Sequence, residues 1–265
     1  MSKIKTLEQE IGYDTSKIAR KSFLEKKIKY WNNQLKKYKK ENNGFWITKC
    51  NYTIIDLEEQ LKDLDNENIY NEDCKVTINR NLDYDYVITS PPDFSELGID
   101  CKDILAYKTF LKDRLSILKP KGNLITIFIS NRKYGGGIIE KDRMVVDIMK
   151  DCGWDLQSKR VWIKSYKINQ FRPNYTNILT FRKYKRFVPH LPDCWFEEFK
   201  SVGKDYTYNF SETIIKELIS KLTNENDIVY DPFIGSGTTL KVCNHLNRKC
   251  IGSEIDKNVF NNFLK

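Results

Sequence analysis

"DIVYDPFIGSGTTLKVCNHLNRKCIGSEID", residues 227–256, decides the fold. Its apolar run around Ile228–Tyr230 predicts a strand, and Gly235 and Gly237 punctuate the loop that follows. From Thr238 the spacing predicts a helix carrying Leu240, Val242, Cys243 and Leu246, and a second strand ends at Glu254. Glycines let a backbone approach a ligand closely. An acid at the end of the next strand, about 20 residues on, suits ribose hydroxyls. No Gly-Lys-Ser/Thr follows the glycines, which excludes a triphosphate-binding loop, and the spacing departs from GxGxxG. Strand, loop, helix, strand and terminal acid together favour a nucleoside site.

Outward from this unit, strand-like and helix-like segments alternate from about residue 68. "DYVITS" (85–90), "LITIFIS" (124–130), "RVWIKS" (160–165) and "NILTFRK" (177–183) read as strands. "ILAYKTFLKDRLSIL" (104–118), a segment near "MVVDIMKDC" (144–152) stopped by Gly153, and "SETIIKELISKL" (211–222) read as helices. This alternation predicts a Rossmann-like α/β domain over 68–265, its mostly parallel sheet covered by helices on both faces. Residues 1–67 read as a basic helical extension. There Leu24, Ile28, Trp31, Leu35 and Tyr38 form one apolar stripe, and eight lysines lie between Lys21 and Lys40. Thr53 with Asp56 three residues later reads as a capping box opening a helix through Leu57, Leu61 and Leu64, ended by "NEN" at 66–68.

Forty-five Lys and Arg against 36 Asp and Glu leave a net charge of +9, which points to an anionic partner, nucleic acid being the commonest. Seven scattered cysteines with no CxxC, and two histidines, argue against a zinc site and against a disulfide framework. The expectation is a metal-free protein in a reducing, cytoplasmic setting. No run approaches the ~18 apolar residues of a membrane span, and "MSKIKTLEQE" lacks the apolar core of a signal peptide.

A second motif is "TSPPDF", residues 89–94. Two prolines end a strand in a rigid loop without backbone donors. Ser90 could accept from an exocyclic amine of a base while a loop carbonyl accepts its other N–H, and an aromatic beside them could stack on a flipped base.

"TSPPDF" and "DPFIGSGTT…GSEI" together resemble the S-adenosylmethionine-dependent amino-methyltransferases of DNA, in the permuted order with the catalytic loop first. The likeness runs from about residue 68 to the end. It implies that Ser90, Pro91 and Pro92 form the catalytic loop. Asp231, Phe233, Gly235, Gly237 and Thr238 would surround the methionine part of the cofactor, with Glu254 at the ribose and Asp73 near the adenine. Asn209, Phe210 and Ser211 are further candidates for the cofactor's carboxylate. The family usually has an aromatic directly after the second proline; here that place is Asp93, and the expectation passes stacking to Phe94.

The activity so implied is methyl transfer to an exocyclic amine in DNA. Ser90 favours N4 of cytosine; N6 of adenine, an RNA target, and a non-catalytic binding scaffold marked by Asp93 are the alternatives. DNA contact is expected from Lys159, Arg160, Lys164, Lys167, Arg172, Arg182, Lys183, Lys185 and Arg186, interleaved with Trp162, Tyr166, Phe171, Tyr175 and Tyr184. Residues 183–205 occupy the place of the family's target-recognition region. The N-terminal helices are open to three roles: gripping DNA, an interaction arm, or a homodimer contact.

Overall fold

The computed structural model describes residues 15–66, 68–80, 82–164, 173–184, 189–197 and 211–263. The chain divides into two units between Asn68 and Ile69.

The first unit pairs helix α1 (Thr15–Lys40) with helix α2 (Gly44–Asn66). Leu24 and Leu57 are buried between them, with Ile28 and Trp31 packed alongside. Across the connecting turn, Tyr38 stacks on Trp46 at 5.5 Å. Ten basic residues and one acidic residue lie in α1, so this helix carries an excess equal to that of the whole chain. One expectation is corrected here. No helix opens at Thr53: α2 starts at Gly44, where the Asn43 side chain accepts from the Trp46 N–H at 3.4 Å. Thr53 lies within the helix and donates its hydroxyl to the Lys49 carbonyl at 2.9 Å, the alternative use of a threonine that a capping pattern does not exclude.

The second unit is built on an eight-stranded sheet. Its strands are β1 (Ile69–Tyr70), β2 (Tyr86–Thr89), β3 (Leu124–Ile129), β6 (Asp155–Ile163), β7 (Tyr175–Arg182), β8 (Cys194–Phe196), β9 (Ile228–Asp231) and β10 (Lys249–Ser253), in spatial order β1-β10-β9-β2-β3-β7-β6-β8. All neighbours are parallel except β7, which runs antiparallel to both β3 and β6. Between β3 and β6 lies a hairpin of β4 (Arg132–Tyr134) and β5 (Gly137–Ile139). The helices are α3 (Cys74–Ile78), α4 (Ile104–Leu115), α5 (Lys141–Asp151), α6 (Glu212–Leu222), α7 (Thr238–His245) and α8 (Lys257–Phe263).

Alternate strand residues feed two cores, as a sheet covered on both faces requires. Tyr86, Ile88, Phe128, Ile178 and Val229 join Ile215, Leu218 and Leu222 of α6 and Leu240 and Val242 of α7. On the other face, Val87, Ile127, Leu179, Phe181 and Tyr230 join Tyr107 and Leu111 of α4 and Val145 and Met149 of α5. Every residue of β3, "LITIFI", is buried, which is why that stretch shows no polar alternation. The α/β reading of the sequence therefore describes this unit. The elements it left out are short: β1, α3, the β4–β5 hairpin, β8 and α8.

Candidate active site

Strand order reverses between β9 and β2. From β9 the chain crosses through α7 to β10 on one side; from β2 it crosses through α4 to β3 on the other. In such sheets the ligand crevice opens beyond the carboxyl ends of the strands flanking the reversal. The proline loop leaves β2 at that point and the glycine loop leaves β9 beside it, with Val87 opposite Tyr230 in parallel register.

One buried carboxylate joins the two loops. Thr89 donates its hydroxyl to Asp231 Oδ1 at 2.8 Å, Thr239 donates to Oδ2 at 2.6 Å, and the Phe233 N–H donates to Oδ1 at 3.1 Å. Asp231 thus fastens the end of β2 to the first turn of α7. Burial pushes its pKa up to about 6, against the pull of those three donors.

The glycine loop needs its glycines for backbone shape. Gly235 (φ 52°) and Gly237 (φ 80°) lie in the left-handed region, Gly237 as the cap of α7. Under the loop, a Cβ on Gly252 would stand 2.3 Å from Ile234 Cδ1. Glu254 extends from the end of β10, accepting from the Gly235 N–H at 3.1 Å and the Asp256 N–H at 2.8 Å. Burial holds its carboxyl above the usual range, although those two N–H groups pull the other way.

Asp73 caps α3, accepts from the Lys75 N–H at 2.9 Å and pairs with Arg114 at 2.7 Å. Burial raises its pKa, but the Lys75 N–H and the Arg114 guanidinium outweigh it and hold the carboxyl low. Glu254 N–H donates to the Tyr70 carbonyl at 3.0 Å, so Asp73 and Glu254 follow the ends of adjacent strands. Two residues of α4 that the sequence reading missed link Asp73 to the glycine loop. Arg114 lies over the Phe110 ring at 4.1 Å, and Phe110 is 6.0 Å from Phe233 of the glycine loop. Their only sequence signal is the four-residue spacing that places both on one helical face.

In the proline loop Ser90 is half-buried and Pro91 buried, and the Pro92 carbonyl accepts from the Tyr107 hydroxyl at 3.0 Å. Phe94 is fully buried, its ring stacked on Tyr107 at 4.1 Å and 20°. The structure therefore places Phe94 in the core and not on the crevice wall, which corrects the expectation that it stacks on a base. Asp93 also turns inward, onto Lys141.

Ser211 caps α6 through the Ile214 N–H and donates to Glu197; Asn209 and Phe210 lie outside the described residues. Of the basic and aromatic set, Arg160 and Trp162 are buried, which removes them from a DNA-facing role. Lys159 pairs with Asp142 at 2.6 Å, while Lys164 lies over Trp162 and Lys183 over Trp154. Tyr184 is 80% exposed. Lys167, Arg172, Lys185, Arg186, Tyr166 and Phe171, and most of 183–205, lie outside the described residues. Among the described residues, no group of three His, Cys, Asp or Glu side chains could hold a metal ion, and no helix is long and apolar enough to cross a membrane.

A family profile for N6/N4 methyltransferases, described as DNA methylase, matches residues 84–265. The type II methyltransferase M.BglII of Bacillus subtilis is 26% identical over 238 residues, covering 71% of this chain and 65% of its own. M.HpaI of Haemophilus parainfluenzae is 29% identical over 214 residues, covering 65% and 64%. The matched region thus spans just under two thirds of these relatives. Among solved structures, the M1.HpyAVI–SAM complex superposes with a TM-score of 0.54 at 25% identity, covering 74% of this chain and 96% of that one. The cytosine-N4-specific PvuII DNA methyltransferase, at 16% identity and a TM-score of 0.56 over 69% and 86%, shares the fold.

Proposed function

Because the chain belongs to the DNA methylase family, we propose that it methylates an exocyclic amine of a base in DNA, with S-adenosylmethionine as donor and N4 of cytosine as the target atom. The observation that carries this reading is the Thr89–Asp231 bond at 2.8 Å, which brings the proline loop and the glycine loop to one crevice.

The residues present suit the cofactor. Left-handed Gly235 and Gly237 keep the loop free of side chains at its bends, and the N-terminus of α7 offers backbone N–H groups to a carboxylate. In this reading Glu254, at the end of β10, accepts from ribose hydroxyls, Asp73 lies toward the adenine, and Phe233 and Thr238 line the methionine end. Asp231 acts as the fastener beneath the site, its two carboxylate oxygens taken by the Thr89 and Thr239 hydroxyls and the Phe233 N–H. When bound, the cofactor supplies a methyl group on a positively charged sulfonium.

The chain's own part is to make a poor nucleophile reactive. An exocyclic amine shares its lone pair with the ring. The Ser90 hydroxyl accepting one N–H and the Pro91 carbonyl accepting the other would localise that pair and stabilise the positive charge that builds on nitrogen. Neither proline has an N–H to compete. The methylated nitrogen then gives up its proton to water. DNA is the proposed partner, met by the exposed basic residues of this unit and by α1.

The hydroxyl at position 90 supports cytosine over adenine. Ser90→Ala should keep cofactor affinity yet lose about 10²–10³ in turnover, the usual cost of one preorganised polar group. Mass spectrometry of nucleosides from DNA methylated in vitro decides the target. Finding 6-methyladenine alone would overturn the cytosine reading and leave the enzyme; finding neither product, with cofactor bound, would favour a binding scaffold.

A further inference from the structure

The proline loop ends on a carboxylate buried against two cations. Lys141 Nζ lies 2.7 Å from Asp93 Oδ1, the side chains only 3% and 9% exposed, and Arg132 Nη1 lies 3.3 Å from Oδ2. The same Oδ1 accepts from the Phe94 N–H at 2.9 Å, and the Asp93 N–H donates to Glu96 at 2.6 Å. The Lys141 ammonium also stands 5.5 Å from the centre of the Tyr107 ring. That ring stacks on Phe94 and its hydroxyl holds the Pro92 carbonyl. Lys141 itself sits on a fixed base. It opens α5, where the next residue, Asp142, donates its N–H to Asn131 Oδ1 at 3.1 Å and pairs with Lys159.

We propose that Lys141 is the positioning residue of the proline loop: through Asp93 and Tyr107 it locks Ser90 and the Pro91 carbonyl in place. A buried ammonium is tolerated only when paired, and so is a buried carboxylate. Swinging Asp93 outward would break its buried 2.7 Å pair with Lys141 and its 3.3 Å pair with Arg132, a cost that holds the loop in this arrangement. The two acceptors lie two and three residues upstream of that lock, behind a rigid proline pair. Acceptors that need no reorganisation are what stabilises charge developing on an amine. An acid directly after the second proline is then part of the loop's support. The catalytic consequence rests on the methyl-transfer reading above; the lock itself does not.

The test uses the full chain with Lys141→Met, Lys141→Arg and the double variant Asp93→Leu/Lys141→Met. Hydrogen exchange of the free protein reads the lock without any activity. In Lys141→Met the amides of 93–99 should exchange at least about tenfold faster while those of β9 keep their protection. Turnover on DNA should fall about 30- to 100-fold, with KM for DNA and cofactor affinity within about threefold, the signature of misplaced groups and not of lost binding. Lys141→Arg, which keeps the charge, should recover most of that turnover. The double variant replaces the pair by apolar groups and guards against a single variant that fails to fold; it too should turn over slowly while folded. Unchanged exchange over 93–99 in folded Lys141→Met, or wild-type turnover in the folded double variant, would overturn the proposal. If the wild-type chain transfers no methyl group, the functional reading falls while the exchange result still decides the lock.

Discussion

Asp231→Asn isolates the buried carboxylate on which the two loops converge. Burial holds this group near a pKa of about 6, above its ordinary 3.8. The interval corresponds to about 3 kcal/mol between the two protonation states. The sign follows from proton binding. The folded chain holds the proton more tightly than the unfolded chain, so this group stabilises the fold fully below about pH 3.8, and that contribution is lost as pH rises through about 6. About 1.4 kcal/mol of it should remain at pH 5 and almost none at pH 7.5. Asparagine does not titrate. Its Oδ1 can still accept from Thr89 and Phe233, and its amide can donate to the Thr239 hydroxyl. Asp73 and Asp142, whose carboxyls are held low by Arg114 and Lys159 among others, respond in the opposite direction but equally in both proteins, so they cancel in the difference. Urea unfolding followed by tryptophan fluorescence at pH 5, 6, 7 and 7.5, at constant ionic strength, measures that difference. Wild-type stability relative to Asp231→Asn should fall by about 1.4 kcal/mol across the range. A difference flat to within about 0.3 kcal/mol, or one rising with pH, would refute the assignment of a raised, buried carboxylate.

Glu254→Ala should weaken S-adenosylmethionine at least about tenfold in calorimetric titration, through loss of charge-assisted bonds; unchanged affinity would remove the residue from the site. Gly252→Ala would put a Cβ 2.3 Å from Ile234 Cδ1, 3.0 Å from its Cβ and 3.1 Å from Ile69 Cδ1. It should cost about 1–3 kcal/mol in urea unfolding, and a loss below about 0.5 kcal/mol would show that Ile234 turns aside freely. Deleting residues 1–68 removes α1 and should flatten the salt dependence of DNA binding, each lost phosphate contact lowering the log–log slope by roughly 0.9. An unchanged slope in the folded truncation would point to a partner or dimer role for that unit.

Much of the fold is written locally. Strand, glycine loop, helix and terminal acid over 227–256 stand where their residue types put them, because left-handed bends need glycine and a strand buried on both faces needs an unbroken apolar run. Short-range patterns of this kind depend on a residue's near neighbours. The exception at Thr53 shows their limit, since the same hydroxyl can cap a helix or bond back into one. Tertiary structure alone decided the rest. Thr89 and Asp231 are 142 residues apart and meet because strand order reverses between β2 and β9. Asp93 and Phe94 follow the prolines in sequence order, yet both turn inward. What draws them there is a lysine 48 residues away and a tyrosine on α4, and no local pattern in "SPPDF" encodes either partner. A side chain's direction at the end of a strand is set by which charges and rings the other elements bring to that end, and those arrive only when the sheet has formed.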